Sequence, residues 1–225
     1  MLDKRLQMAA DMIVRGRRLV DVGTDHAYLP AYMLKNGFSP FAVLADASEK
    51  PLRNAALTVE KYGLANETSI VLSDGLKSVG EIRDAEIVLA GMGGTLIARI
   101  LSASDCVKDP SVHLILQPVT RSEDARLFLI KNGFDIEREA AVSDAGRVYI
   151  AISAYYSGAL KEYPLWYPWF GEQPALKNPA SSKFIEKQLF RLKKRLIALN
   201  EGGINPDEAG YLSAVILLFT KEFNI

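Results

Sequence analysis

Asp25 and His26 stand side by side in a polar turn that follows the apolar run Leu19-Val-Asp-Val-Gly23. A carboxylate placed there can accept a hydrogen bond and balance positive charge developing on a ligand, and an imidazole can help a proton leave. Asp21 and Gly23 precede them at the end of a short strand. Glycine lets the backbone pass close beneath a ligand, and a helix starting just beyond offers unpaired N–H groups and the positive end of its dipole. Asp46, followed by Ala47, ends the next apolar run 23 positions after Gly23, where a carboxylate can accept both hydroxyls of a ribose. Ser73-Asp74-Gly75 follows a third run, where an acid can bind the amino group of an adenine ring. Asp21 can orient the first loop or reach the tail of a ligand through water. Acids in this order at successive strand ends outline an adenosine-like ligand.

The first loop lacks the second and third glycines that let a dinucleotide pyrophosphate approach a helix, so a cofactor without phosphate fits better, and S-adenosyl-L-methionine is the common one. Ala90-Gly-Met-Gly-Gly94 follows the fourth apolar run. Enzymes that methylate the exocyclic amine of adenine carry there an Asn or Asp, two prolines and an aromatic, and that motif is absent. A ring nitrogen such as N1 already has an in-plane lone pair, so the pattern favours a ring-nitrogen target. The glycines also suit a tight strand-to-helix turn beneath any ligand.

The elements that must position these residues alternate between strand-like and helix-like segments from Arg17 to about Ala154. Strands are expected near 17–22, 41–45, 69–72, 87–90, 112–116, 134–142 and 147–154. Helices are expected over 28–36, 49–62, 95–102 and 123–132, the last stopped by Gly133. Only Ser143-Asp-Ala-Gly146 separates the last two strands, which predicts a hairpin and therefore an antiparallel last strand on a mostly parallel, seven-stranded Rossmann-like sheet. The expected division is a cofactor-binding domain over 1–158 and a linker with a helical hairpin over 159–225.

The segment Lys161 to Gly171, with Pro174 and Pro179 beyond, is rich in proline and reads as an irregular linker whose five aromatics pin it to its neighbour. Asn178-Pro179 then opens a helix, and Ile185, Leu189, Leu192, Leu196 and Leu199 follow at coiled-coil spacing. Asn200 to Asn205 turns the chain, and Pro206 with Glu208 opens a second helix carrying Ala209, Leu212, Ile216 and Phe219. Between Ser182 and Asn200 six cations face the single Glu186, a net of +5, over a helix about 28 Å long. Such a helix can track several phosphates. Arg15, Arg17 and Arg18, and Arg121 and Arg126, are expected to extend that basic surface.

Across the 225 residues, 27 Lys and Arg balance 27 Asp and Glu, so a polyanionic partner has to be met by a local patch. The single Cys106 excludes an internal disulfide framework and any multi-cysteine metal site, and with two His no metal is expected. The N-terminal residues read as a short amphipathic helix lacking the apolar core of an export signal, and the longest apolar stretch, 214–219, is too short to span a bilayer. No membrane contact is expected, the location is cytoplasmic, and the chain is expected to be a monomer or weak dimer. His113 falls within a buried strand and is expected to be structural.

Asp21-Val-Gly-Thr-Asp-His-Ala-Tyr-Leu-Pro30, Ala90-Gly-Met-Gly-Gly94 and Leu116-Gln-Pro118, together with the C-terminal helical hairpin, resemble the bacterial tRNA (adenine-22-N1)-methyltransferases, a class I S-adenosylmethionine-dependent family. The resemblance spans nearly the whole chain. It implies a cofactor held by Asp21, Gly23, Asp46, Ala47, Asp74, Gly75 and Gly91. It also implies a flipped adenine of tRNA received near Asp25, His26, Gly91 and Gln117. Tyr28 and Pro118 are expected to join them in binding the substrate, and Asp25 is expected to be the principal catalytic residue because its carboxylate can balance the charge that the ring acquires. Arg121, Lys183, Lys187, Arg191 and Lys194 are then the residues expected to hold the tRNA. Many members carry Asn after Leu-Gln-Pro, where this chain has Val119. Two other classes compete: a nicotinamide-dependent oxidoreductase, and a non-catalytic tRNA-binding protein that uses the basic hairpin.

Overall fold

The computed structural model describes residues 2–203 and 205–225. In chain order the elements are α1 (Lys4–Ala10), β1 (Arg18–Val22), α2 (Tyr28–Lys35), β2 (Ala42–Asp46), α3 (Glu49–Tyr62), β3 (Thr68–Leu72), β4 (Ala85–Gly93), α4 (Gly94–Ser102), β5 (His113–Thr120), α5 (Ser122–Lys131), β6 (Phe134–Asp144) and β7 (Arg147–Tyr156). They are followed by α6 (Tyr167–Phe170), α7 (Gln173–Leu176), α8 (Pro179–Gly202) and α9 (Pro206–Phe223).

The seven strands form one sheet in the order β3-β2-β1-β4-β5-β7-β6. β1 to β5 run parallel, and β7 is antiparallel to both β5 and β6. Continuous apolar strands are what a sheet buried on both faces requires. The registers Val20↔Val43 and Val20↔Ile87 place one such row in the middle of the sheet. One core layer, with Ile87, Leu89, Ile97, Leu114 and Leu129, lies under α4 and α5. The other, with Leu19, Met33, Leu44 and Val88, lies under α1, α2 and α3. Strand order reverses between β1 and β4, and there the loops diverge to leave a crevice above the carboxyl ends of the strands.

The expected elements are present, several of them longer than the periodicity indicated. The segment after β7 departs from expectation. It is no irregular linker, because Pro168 and Pro174 sit in the first turns of α6 and α7, where a missing N–H costs nothing. Its aromatics do pin it down: Trp166, Tyr167 and Phe170 are buried against Leu192, Val215 and Phe219, with Phe170 and Phe219 stacked at 3.7 Å. In the hairpin, the Asn178 and Asn205 side chains accept hydrogen bonds from the backbone N–H of Ser181 and Glu208. Ile204, in the turn between the helices, lies outside the described residues.

Candidate active site

The loop after β1 is held open by backbone geometry. Gly23 takes φ +77°, and the N–H groups of Gly23 and Thr24 both donate to the Ala45 carbonyl, at 2.8 and 3.2 Å. Asp25 and Ala27 then adopt left-handed φ values of +41° and +53°, while the Ala27 N–H closes onto the Thr24 carbonyl at 2.8 Å. Two left-handed non-glycine residues in three positions are an arrangement that the surrounding structure must enforce. Ala27 occupies the N-cap position of α2 with no side-chain cap, so Asp25 is not spent on capping that helix. Its carboxylate is 66% exposed and lies 3.7 Å from His26 Nε2. The imidazole stacks on Tyr28 with ring centroids 5.2 Å apart.

Asp21 lies beneath this loop, 7% exposed. Burial, reinforced by repulsion from the Asp46 carboxylate, pushes its pKa up to about 6, and the nearby Thr24 hydroxyl offsets part of this without closing a full hydrogen bond. Between about pH 4 and 6 the folded chain thus holds a proton that the unfolded chain has released, so this group's contribution to stability is lost as pH rises through 6. At neutral pH the buried carboxylate costs roughly 2–3 kcal/mol. Asp21→Asn is therefore expected to melt above the wild type at pH 7.5, by an amount that shrinks toward pH 4, in thermal denaturation across that range.

Asp21, Gly23, Asp25, His26, Tyr28, Gly91 and Lys187 line a single cavity of about 760 Å³ at the switch point. Its far wall is the overhanging end of the β6–β7 hairpin, with Arg147, Val148 and Tyr149, and α1 adds Asp3 and Arg5. Val119 also lines it and adds an apolar side chain to that wall. Gln117 and Pro118 are buried and do not line the cavity; Gln117 instead acts from below. Its Oε1 accepts from the Gly91 N–H at 3.1 Å and from Arg5 Nη1 at 3.0 Å. Gly94, beside this turn, has no room for a side chain: a Cβ would sit 2.0 Å from the Arg121 carbonyl oxygen.

Asp46 ends β2 and Ala47 follows it; neither is among the residues that line the cavity, and the Asp46 carboxylate accepts the Ser48 N–H at 2.9 Å. Asp74 follows β3 but lines a separate recess of about 290 Å³, where Lys77 at 2.6 Å and, more weakly, Arg99 hold its pKa below the usual carboxylate range. Gly75, at φ +65°, packs against Ile100.

The basic surface is smaller than the composition of α8 suggests. Lys183, Lys187 and Lys194 project outward, but Arg191 pairs with Glu123 at 2.7 Å and lies over the Trp169 ring, and Arg195 pairs with Glu208. Arg121 pairs with Glu123 and Asp124 and does not reach the cavity. Arg126 is not at the surface at all; it is fully buried against Glu139. Arg15, Arg17 and Arg18 lie at the start of β1, the opposite end of the sheet from the site, with Arg17 paired to Glu86 at 3.0 Å. His113 is structural as expected, bridging Glu86 at 2.6 Å and Ser153 at 2.8 Å. Arg5, Arg147 and Tyr149 were not foreseen, since no local motif marks them.

The pieces fit a sulfonium-bearing nucleoside. The floor is acidic, Gly23 leaves space that a Cβ would fill 2.9 Å from the Met92 methyl, and the buried Thr24 hydroxyl has no hydrogen-bond partner. Residues 2–152 match the family model described as a methyltransferase domain. The curated tRNA (adenine(22)-N(1))-methyltransferase of Bacillus subtilis is 35% identical over 153 residues, 68% of this chain; the match spans 64% of that relative's length. The crystal structure of the B. subtilis M1A22 tRNA methyltransferase TrmK superposes with a TM-score of 0.86 at 27% identity, covering 99% of this chain and 98% of that one. Sp1610 of Streptococcus pneumoniae, solved in complex with S-adenosyl-L-methionine, gives a TM-score of 0.79 at 31% identity over 96% of this chain and 100% of that one. The chain therefore belongs to the methyltransferase-domain family, in the branch of the bacterial tRNA (adenine-22-N1)-methyltransferases.

Proposed function

We propose that this chain methylates N1 of an adenine in tRNA, at position 22 as in its B. subtilis relative, with S-adenosyl-L-methionine as donor. The observation that carries this reading is Asp25: a carboxylate that caps no helix, held by a left-handed backbone at the mouth of the crevice at the switch point, with Asp21 on its floor. When bound, S-adenosyl-L-methionine supplies a methyl group on a positively charged sulfur. Asp46 with Ala47 would hold its ribose, Asp74 and Gly75 its adenine edge, and Asp21, Gly23 and Gly91 the rest of the molecule.

The target adenine has to leave its stack to reach such a crevice. Asp25 accepts a hydrogen bond from its exocyclic amine and so aims N1, and the same carboxylate balances the positive charge the ring acquires. His26, stacked on Tyr28, lies close enough to Asp25 to help the ring shed its proton. Holding nitrogen, carbon and sulfur in line accounts for much of the rate. We assign the donor and the adenine pocket to residues 1–158 and docking of the tRNA body to 159–225, and place the protein in the cytoplasm with its substrate, as a monomer or weak dimer.

The test is ligand-induced stabilisation. S-adenosylhomocysteine at a hundred times its Kd should add about 2.7 kcal/mol, which raises Tm by roughly 5–10 °C for a chain of this size. NAD should leave Tm unchanged; the reverse result would point to an oxidoreductase.

A further inference from the structure

Three carboxylates and three cations line the main cavity: Asp21 lies on the floor and Asp25 on the loop after β1, while the cations Arg5, Arg147 and Lys187 stand around the rim, with Asp3 beside Arg5. The three cations come from α1, the start of β7 and α8, so only the tertiary fold brings them together. Among the described residues Arg147 and Lys187 have no carboxylate within 4.0 Å. Arg5 is fixed from below. Its Nη1 donates to Gln117 Oε1 at 3.0 Å and its Nη2 lies 3.6 Å from Asp3, while the side chain stays 24% exposed. The Gln117 amide can take only one orientation, because turning it over would set its NH₂ against two donors, Arg5 and the Gly91 N–H. The guanidinium is thus pre-set, with N–H groups left to meet two oxygens of an anion such as a phosphate.

Resting on the tRNA-methylation reading, we propose that Arg5, Arg147 and Lys187 form a seat for backbone phosphates on either side of the flipped adenine. An acidic floor repels phosphate from the interior and admits a base, whereas a cationic rim holds the strand that the base has left. The arrangement suits a ligand whose neutral part enters and whose anionic part stays outside. It also gives α1 a task at the site, in addition to covering the sheet.

The test measures tRNA binding by fluorescence anisotropy across a salt series for the wild type, Arg147→Ala, Lys187→Ala and the double variant, all altered at exposed positions. Each lost phosphate contact should reduce the magnitude of the log K against log salt slope by about 0.9, and so by about 1.8 in the double variant. Affinity should fall about tenfold or more per site. Arg5→Lys, which keeps the charge but loses the fork, should weaken binding less than Arg5→Ala. Affinity for S-adenosylhomocysteine, measured by calorimetry on the same proteins, should be unchanged. Unchanged slopes overturn the proposal, and so does a loss of S-adenosylhomocysteine affinity, which would assign the rim to the donor's carboxylate. Because binding is read without turnover, a wild type that binds tRNA with the expected slopes but transfers no methyl group refutes the functional reading and leaves the seat standing.

Discussion

Asp25→Asn should lower the single-turnover rate of tRNA methylation by about 10²–10³-fold, the cost of removing one preorganised electrostatic partner from a reacting centre. The substitution isolates charge from shape. Asn tolerates the left-handed φ of +41° that this position adopts, and Asp25 caps no helix, so the loop and α2 should fold as before. Asn also presents a carbonyl oxygen that can still accept from the adenine amine. What it cannot do is balance the charge that appears on the ring. The loss should therefore fall on the chemical step, with tRNA affinity within a few-fold of wild type. A rate unchanged in Asp25→Asn would leave Asp25 a loop-shaping residue.

Glu139→Ala should destabilise the fold by about 3–5 kcal/mol, the cost of leaving a buried charge without its partner. For a chain of this length that is a fall in Tm of roughly 10 °C or more. Arg126 and Glu139 are both fully buried and meet in a fork, Nε to Oε1 at 2.6 Å and Nη2 to Oε2 at 2.9 Å. The same two side chains gather the C-terminal elements: Arg126 Nη1 donates to the Pro168 carbonyl at 3.1 Å, and Gln173 Nε2 donates to Glu139 at 2.8 Å. Gly171 passes so close that a Cβ would lie 2.4 Å from Arg126 Nε and Glu139 Oε1, so this crossing tolerates no side chain. The pair thus locks the aromatic segment, and through it α8, onto α5 and β6. Replacing both partners, as in Arg126→Met with Glu139→Leu, should recover much of the stability that Glu139→Ala loses. Recovery in that double variant, followed by thermal denaturation, separates the lost charge partner from a simple cavity.

What the chain reveals before folding is its local order. Strand-end acids such as Asp21 and Asp46, the glycine of the first loop and the Asn178 that opens the hairpin are legible because each acts on its own neighbours in sequence. Arg5 and Arg147 were not legible, because their position depends on α1 folding across the sheet and on β7 overhanging it. Arg126 looked like a surface cation, since a charge on a helix reads as solvated unless its partner, here 13 residues ahead on another element, is known. The prolines after β7 suggested irregular structure, and in the fold they start single turns whose aromatics complete the hairpin's core. Asp74 was legible from its place after the third strand, whereas its pairing with Lys77 and the separate recess it lines depend on side chains that the strand pattern does not fix.

The most direct test incubates unmodified tRNA with the protein and S-adenosyl-L-methionine carrying a labelled methyl group, digests the RNA to nucleosides and identifies the product by mass spectrometry. The account predicts label in 1-methyladenosine. Label in N6-methyladenosine or in a methylated cytidine, or no transfer by a folded protein that binds the donor, would contradict it.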